Sequence, residues 1–333
     1  MTNQFYKPTL PSRWEGRLDG TAFDVLRWHQ IIQLVNIQER SVPVLQKGQR
    51  GIAFVGFCCD EGVKRNKGRE GAEEGAIMMR KACASFPVHI SETVRMIDVG
   101  DIVCQEKKLE KAQESLGDIV CNLIENHYFV IILGGGHEVA YAHYLGVKKF
   151  LEKQVNKSWG FFNIDAHFDL RQVEESVGAS SGTPFWQIAQ DRQALSLPFE
   201  YFCLGIQQCS NTKRLFDTAQ KLGVKYIQAD DLFEDTQRTN NLIDNFASHN
   251  QYLSLTIDMD AFASAYAPGV SATAFNGIIP DFRFKSLLRQ ILSFPHLISM
   301  DIAELNPRFD QDNRTAKLAA SFIYEAVSCV YLR

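Results

Sequence analysis

The segment Asn163-Ile164-Asp165-Ala166-His167-Phe168-Asp169 sets two carboxylates around one imidazole, each two residues from the next, directly after the apolar run Trp159-Gly160-Phe161-Phe162. In an extended chain successive side chains alternate faces, so residues 165, 167 and 169 are expected to point the same way and to form a metal-binding edge at a strand end. A lone Asp-x-His is more often a loop that solvates itself. This one has company: Tyr252-Leu253-Ser254-Leu255-Thr256-Ile257 ends in Asp258-Met259-Asp260, and Phe129-Val130-Ile131-Ile132-Leu133 stops at Gly134-Gly135-Gly136 before His137. Chance would rarely end three buried strands in this way.

Together His137, Asp165, His167, Asp169, Asp258 and Asp260 make four carboxylates and two imidazoles, a charge that cannot be left unpaired in a pocket. Two divalent cations would neutralise it. Six side chains for two ions require at least one bridging carboxylate and leave room for a bridging water that ionises near neutral pH. Hard oxygen ligands mixed with imidazole, without thiolate, suit manganese, with zinc, cobalt or iron as alternatives. A rival reading of Gly134-Gly135-Gly136 is a phosphate cradle. No Gly-x-Gly-x-x-Gly completes it and no Gly-Lys-Ser/Thr follows, so a metal ligand at a helix start fits better.

The elements that must position these residues repeat as strand, glycine-bearing loop, helix. Strands are expected at 52–57, 94–98, 129–133, 159–164, 201–205, 224–227, 252–257 and 297–302, alternating with amphipathic stretches such as Glu106 to Asn126 and Asp281 to Leu292. Eight such strands imply an α/β fold with a mainly parallel sheet covered by helices. Ligands of open α/β sheets sit outside the carboxyl ends of the strands, where all three motifs fall. Residues 1 to about 48 read as an N-terminal extension packing on the main body, with a helical stretch from Ala22 to Val35. The whole chain is expected to be one domain.

With 333 residues and 45% hydrophobic composition a large core is available. A formal charge of -4 with interspersed signs gives no nucleic-acid or anionic-membrane footprint. The first residues lack a basic stretch followed by an apolar core, and no run of about 18 apolar residues occurs. These features predict a cytoplasmic, soluble protein whose partner is a small molecule. Eight cysteines without a Cys-x-x-Cys pair argue against zinc-thiolate and disulfide frameworks, leaving Cys58-Cys59 as the pair nearest a sheet edge.

Gly-Gly-Gly-His-Glu from Gly134, Asn-Ile-Asp-Ala-His-Phe-Asp from Asn163, and Ser-Leu-Thr-Ile-Asp-Met-Asp from Ser254, followed by Pro268-Gly269, resemble in type and order the three signatures of the arginase/agmatinase/formimidoylglutamase (ureohydrolase) family. The resemblance implies a three-layer αβα arginase-like fold and a dimanganese hydrolase splitting a carbon–nitrogen bond of an amidine or guanidine, in a homo-oligomer. It implies that His137, Asp165, Asp169 and Asp258 hold one ion and Asp165, His167, Asp258 and Asp260 the other. It further implies that Asp169 shuttles a proton to the leaving amine. Glu304, in Asp301-Ile302-Ala303-Glu304-Leu305-Asn306-Pro307, matches the glutamate that pairs with the planar cationic group of the substrate, a geometrically selective fork.

Arginases and agmatinases carry a His-Gly pair downstream of the second motif. Here Ser180-Ser181-Gly182-Thr183-Pro184-Phe185 stands instead, with Ser181 in the place of that histidine. A positioned acid or base is worth about 10²- to 10⁴-fold, and serine has no suitable pKa. Formimidoylglutamase-like members show Ser-Gly-Thr-Pro-Phe here, and the segments around Trp14, Arg27, Asp60 to Arg69, His167 to Arg171 and Ala267 to Ala272 resemble the same branch. Its substrate, N-formimidoyl-L-glutamate, has a cationic end and two carboxylates. Arg171, two residues beyond Asp169, is expected to reach a carboxylate, with Arg69 and Arg65 as further candidates. The alternatives are an amidinohydrolase for arginine, agmatine or another guanidino acid, and an inactive metal-dependent binding protein. The second Asp-x-Asp argues against a zinc deacetylase.

Overall fold

The computed structural model describes residues 3–155 and 158–332; residues 1, 2, 156, 157 and 333 lie outside it. Ten strands form one sheet: β1 (Tyr6–Lys7), β2 (Gln33–Leu34), β3 (Arg50–Cys58), β4 (Val94–Val103), β5 (Tyr128–Leu133), β6 (Trp159–Ile164), β7 (Glu200–Ile206), β8 (Lys225–Gln228), β9 (Tyr252–Asp258) and β10 (Leu297–Ala303). Their order is β1-β4-β3-β5-β10-β9-β6-β7-β8, with β2 also paired to β4. All pairs are parallel except β1 with β4. The eight strands expected from the apolar runs are present. The other two come from the N-terminal extension, where two-residue stretches are too short to show a period.

The helices are α1 (Trp28–Ile31), α2 (Glu61–Arg65), α3 (Gly75–Cys83), α4 (Leu109–Glu125), α5 (Val139–Leu151), α6 (Pro184–Ala194), α7 (Lys213–Lys221), α8 (Thr236–Ser248), α9 (Phe282–Ser293) and α10 (Arg314–Leu332). Alternation along β3 divides the core. Ile52, Phe54 and Cys58 join α3, α8, α9 and α10 on one face, while Ala53, Val55, Phe57 and Cys59 join α4, α5, α6 and α7 on the other. Burial on both faces is why the parallel strands read as near-continuous apolar runs. The result is the three-layer αβα arrangement. Cys58 and Cys59 thus pack into opposite cores, and burial pushes the Cys58 thiol up to about 12.

The expected helix from Ala22 to Val35 is not formed. A 3-10 turn at Phe23–Val25 and the single turn α1 lead directly into β2. Tertiary contacts override the local pattern: Trp28 is buried and stacks on Tyr324 of α10, ring centroids 5.8 Å apart. The Asp281 side chain accepts from the amides of Arg283 and Phe284 and so starts α9 where the sequence places it. No described helix is long and apolar enough to cross a membrane.

Candidate metal centre

Four adjacent central strands, β5, β10, β9 and β6, deliver the acidic and imidazole side chains from their carboxyl ends. After β5 the chain turns through Gly134 (φ +77°) and Gly135 (φ +84°). A Cβ on Gly134 would lie 2.5 Å from the Ala76 nitrogen, so only glycine passes here. The loop is no phosphate cradle, because its amides are taken: Gly134 donates to Ile302 O, Gly136 to Cys59 O, and His137 to Glu304 Oε1 at 2.9 Å.

His137 Nδ1 lies 3.1 Å from Asp165 Oδ2, 2.9 Å from Asp169 Oδ2 and 3.2 Å from Asp258 Oδ2. His167 Nδ1 lies 3.5 Å from Asp165 Oδ1 and 3.1 Å from Asp260 Oδ2. Two ligand groups result, His137-Asp165-Asp169 and Asp165-His167-Asp260, with Asp165 common to both. All six expected ligands therefore converge, but not by strand alternation. β6 ends at Ile164, so Asp165 to Asp169 lie in a turn, and Asp260 sits in a 3-10 turn after β9. The Asp165 and Asp258 carboxylates accept from the amides of His167 and Asp260 respectively, each at 2.7 Å, which curls both motifs.

Neighbours missed by the sequence reading fix these turns. Asn163 donates to Asp165 Oδ2 at 3.0 Å and to Tyr201 Oη at 2.8 Å. Asn211 holds the Asp165 to Asp169 turn from below, accepting from Phe168 N and donating to Ala166 O. Phe185 stacks on Tyr201 at 4.0 Å, meets the His137 ring edge-on, and donates its amide to Asp169 O. Asn163 lay inside the motif without a visible role; Asn211 carries no local signal at all.

The electrostatics show what the cluster lacks. Burial opposes charge on the His137 ring, yet Asp165, Asp169 and Asp258 push it well above its ordinary range. Burial, then the Asp165 charge, raises Asp169 to about 6; burial, then Asp258, raises Asp260 and Glu304 well above theirs. Asp169, Asp260 and Glu304 driven towards protonation, and both imidazoles driven to keep protons, define a site short of positive charge, although His137 and His167 hold Asp165, despite its burial, below its ordinary range. His137 Nδ1, Asp260 Oδ1 and Glu304 Oε2 are buried and accept no hydrogen bond. These orphaned atoms, gathered as oxygen and imidazole donors without thiolate, fit divalent cations of the manganese type.

A cavity of about 310 Å³ opens onto this cluster, with His137, His167, Asp169, Asp258, Asp260 and Glu304 in its wall and Lys67, Arg69, Arg171 and Ser181 also lining it. Asp169 (φ +50°) and Glu304 (φ +65°) both hold left-handed backbone, a conformation tolerated chiefly where neighbours over-determine it. Arg171 is exposed and Arg69 half-buried, but the Arg69 guanidinium donates to Ser271 O and Val270 O and covers the Phe309 ring at 4.1 Å. Ser181 Oγ accepts from Asn66 at 3.2 Å. Lys67 also lines the cavity and was not singled out by sequence.

Arg65 departs from expectation. Its guanidinium lines a neighbouring space and is bound to Glu61, Glu110, Lys107 O and Ala179 O. Its charge is used inside the protein, tying α2 to Glu110 of α4 and to the carbonyls of Lys107 and Ala179, although Arg171 and Lys67 line the same neighbouring space.

The arginase family model matches residues 50–329. The formimidoylglutamase of Clostridium tetani is 39% identical over 328 residues, 98% of this chain and 96% of its own. That of Geobacillus kaustophilus is 40% identical over 324 residues, 97% of each. Among solved structures, a Trypanosoma cruzi formiminoglutamase with Mn2+ has a like fold, with a TM-score of 0.77 at 21% identity, covering 93% of this chain and 100% of that one. A family model that spans the strands bearing every candidate ligand, together with near-complete alignment to these relatives, shows that the chain belongs to the arginase family.

Proposed function

We propose that the chain is a formimidoylglutamase, hydrolysing N-formimidoyl-L-glutamate with water to L-glutamate and formamide in histidine breakdown. The observation that carries this reading is the polarity of one cavity: an acidic cluster with Glu304 in its wall, and Lys67, Arg69 and Arg171 lining the same space. A molecule cationic at one end and dianionic at the other matches that layout. Identity near 40% to formimidoylglutamases over almost the whole chain supports the same substrate, as does Ser181 where a guanidine-cleaving relative would have histidine.

In this reading His137, Asp165, Asp169 and Asp258 would hold one manganese ion and Asp165, His167, Asp258 and Asp260 would hold a second. Bound there, the ions supply Lewis acidity and a water acidic enough to ionise near neutral pH. Glu304, whose Oε2 is buried and unpartnered, receives the formimino cation by a charge-assisted hydrogen bond. Asp169, held by the Phe185 amide beside the cluster, passes a proton to the departing amine. Arg171 binds a substrate carboxylate, with Arg69 shaping the wall through Ser271 and Val270. The protein is read as cytoplasmic, one domain throughout, and a homo-oligomer.

Manganese-loaded protein assayed against formimidoylglutamate, arginine, agmatine and 4-guanidinobutyrate tests the proposal. Turnover of formimidoylglutamate with release of glutamate is expected. Turnover of agmatine alone would overturn it.

A further inference from the structure

Behind His137 a continuous path of buried polar side chains runs through the apolar core. Trp159 Nε1 lies 3.0 Å from Ser254 Oγ, which lies 3.1 Å from Ser299 Oγ. Ser299 Oγ is 2.6 Å from His143 Nε2, and His143 Nδ1 is 2.7 Å from Asp301 Oδ2. Asp301 Oδ1 accepts from Thr256 Oγ1 at 2.6 Å, and Thr256 Oγ1 is 2.9 Å from His137 Nε2. All seven residues are at most 2% exposed. Positions 254 and 256 of β9 and 299 and 301 of β10 point to one face of the sheet, the face on which α5 carries His143.

Proton counting gives this path one consistent assignment, fixed at its His137 end by the Thr256 donor to Asp301. Indole N–H can only donate, so Ser254 accepts from Trp159, which leaves its own hydroxyl hydrogen available to Ser299. Ser299 then donates to His143 Nε2, and His143 donates its Nδ1–H to the Asp301 carboxylate. Thr256 has a single hydroxyl hydrogen and gives it to the other Asp301 oxygen. It is left only as an acceptor towards His137, which must therefore carry its proton on Nε2. Every hydrogen is matched once, with one negative charge at Asp301. With its Nε2 proton engaged by Thr256, the ring turns Nδ1 towards Asp165, Asp169 and Asp258.

We propose that His143, acting through Asp301 and Thr256, is a positioning residue that fixes the tautomer of His137 and so holds its Nδ1 ready for a metal ion. The inference rests on His137 being a metal ligand. Outer partners of ligating histidines set ring orientation and basicity, and their loss weakens metal binding by about 10- to 100-fold. His143→Leu fills the space but removes the donor to Asp301; His143→Asn restores a donor near the Nδ1 position.

Manganese affinity of the metal-free protein, measured by competition with a chromogenic chelator, is the readout. His143→Leu is expected to bind manganese about 10- to 100-fold more weakly than wild type, with His143→Asn recovering most of the loss. Stability in urea is measured alongside, because a purely structural role would lower the stability of both variants without separating their affinities. Equal affinity in the two variants, whether both unchanged or both reduced, overturns the inference. Should His143→Leu not fold, nitrogen-15 spectra of zinc-loaded wild type decide it: a proton on His137 Nε2 is expected, and a proton on Nδ1 overturns it. Wild type that binds no manganese overturns the metal assignment itself, and this inference with it; wild-type binding with indifferent variants overturns this inference alone.

Discussion

Two buried clusters of charge lie in the same sheet and have opposite character. At β4, Arg80 is fully buried and donates to both Asp98 oxygens, at 2.6 and 3.1 Å, and to Asp101 Oδ1 at 2.7 Å. Thr9 and Trp14 complete Asp98 and Arg13 completes Asp101, so two cations meet two carboxylates. At the carboxyl ends of β5, β6, β9 and β10, four aspartates meet two imidazoles, and three buried acceptor atoms have no donor. The first cluster is closed on itself and fastens the N-terminal extension to the sheet edge. The second closes only with charge from outside. A buried charge cluster is evidence for a ligand when its own sum fails to balance, and evidence for architecture when it balances.

The largest effect should come from weakening the open cluster. Asp258→Asn keeps the shape and removes one charge shared by both proposed ion sites, so turnover should fall by about 10³-fold or more, the scale of a directly acting group. Steady-state kinetics with a manganese titration checks this; activity within tenfold of wild type would mean the cluster is not the reacting centre. Chelation should reproduce the loss and also lower the melting temperature, since an ion bound only to the native state stabilises it by mass action.

Breaking the closed cluster should do the reverse. Arg80→Met leaves Asp98 and Asp101 buried with too few donors and should cost about 3–5 kcal/mol of folding stability in urea. Manganese affinity of the folded fraction should stay within about threefold of wild type, and a large loss there would erase the contrast between the clusters.

A smaller difference separates two arginines that the sequence ranked in order, Arg171 first and Arg65 as a further candidate. Arg171 lines the cavity that opens onto the acidic cluster, and Arg171→Met should raise KM for formimidoylglutamate about 10- to 100-fold, the loss of a charged hydrogen bond, with less change in kcat. Arg65 is held by Glu61 and Glu110, so Arg65→Met should cost about 1 kcal/mol of stability or less and leave KM unchanged. Equal KM values in the two variants would return Arg65 to the substrate site.

How much was legible depends on range. Eight strands and the helices α4 and α9 follow from apolar periodicity, because each buries enough surface to write its period into the sequence. The stretch Ala22 to Val35 misled, because Trp28 is apolar for Tyr324 and Phe86 rather than for a helix face. Ser254 and Thr256 sit inside what reads as an apolar run of β9, and they show a purpose only when Ser299, Asp301 and His143 stand opposite.

By itself the sequence determined which residues could bind metal and that they stand at strand ends, since ligand chemistry and strand burial are both local in the chain. Tertiary structure decided how they converge: the turn after β6, fastened by Asn211 and Phe185, and the 3-10 turn after β9, held by the Asp258 carboxylate, replace the strand alternation that spacing alone suggests. It also decided which cations line the cavity beside the acidic cluster. The place of Arg171 two residues beyond Asp169 already ranked it above Arg65, and the carboxylates folded against Arg65 complete the separation.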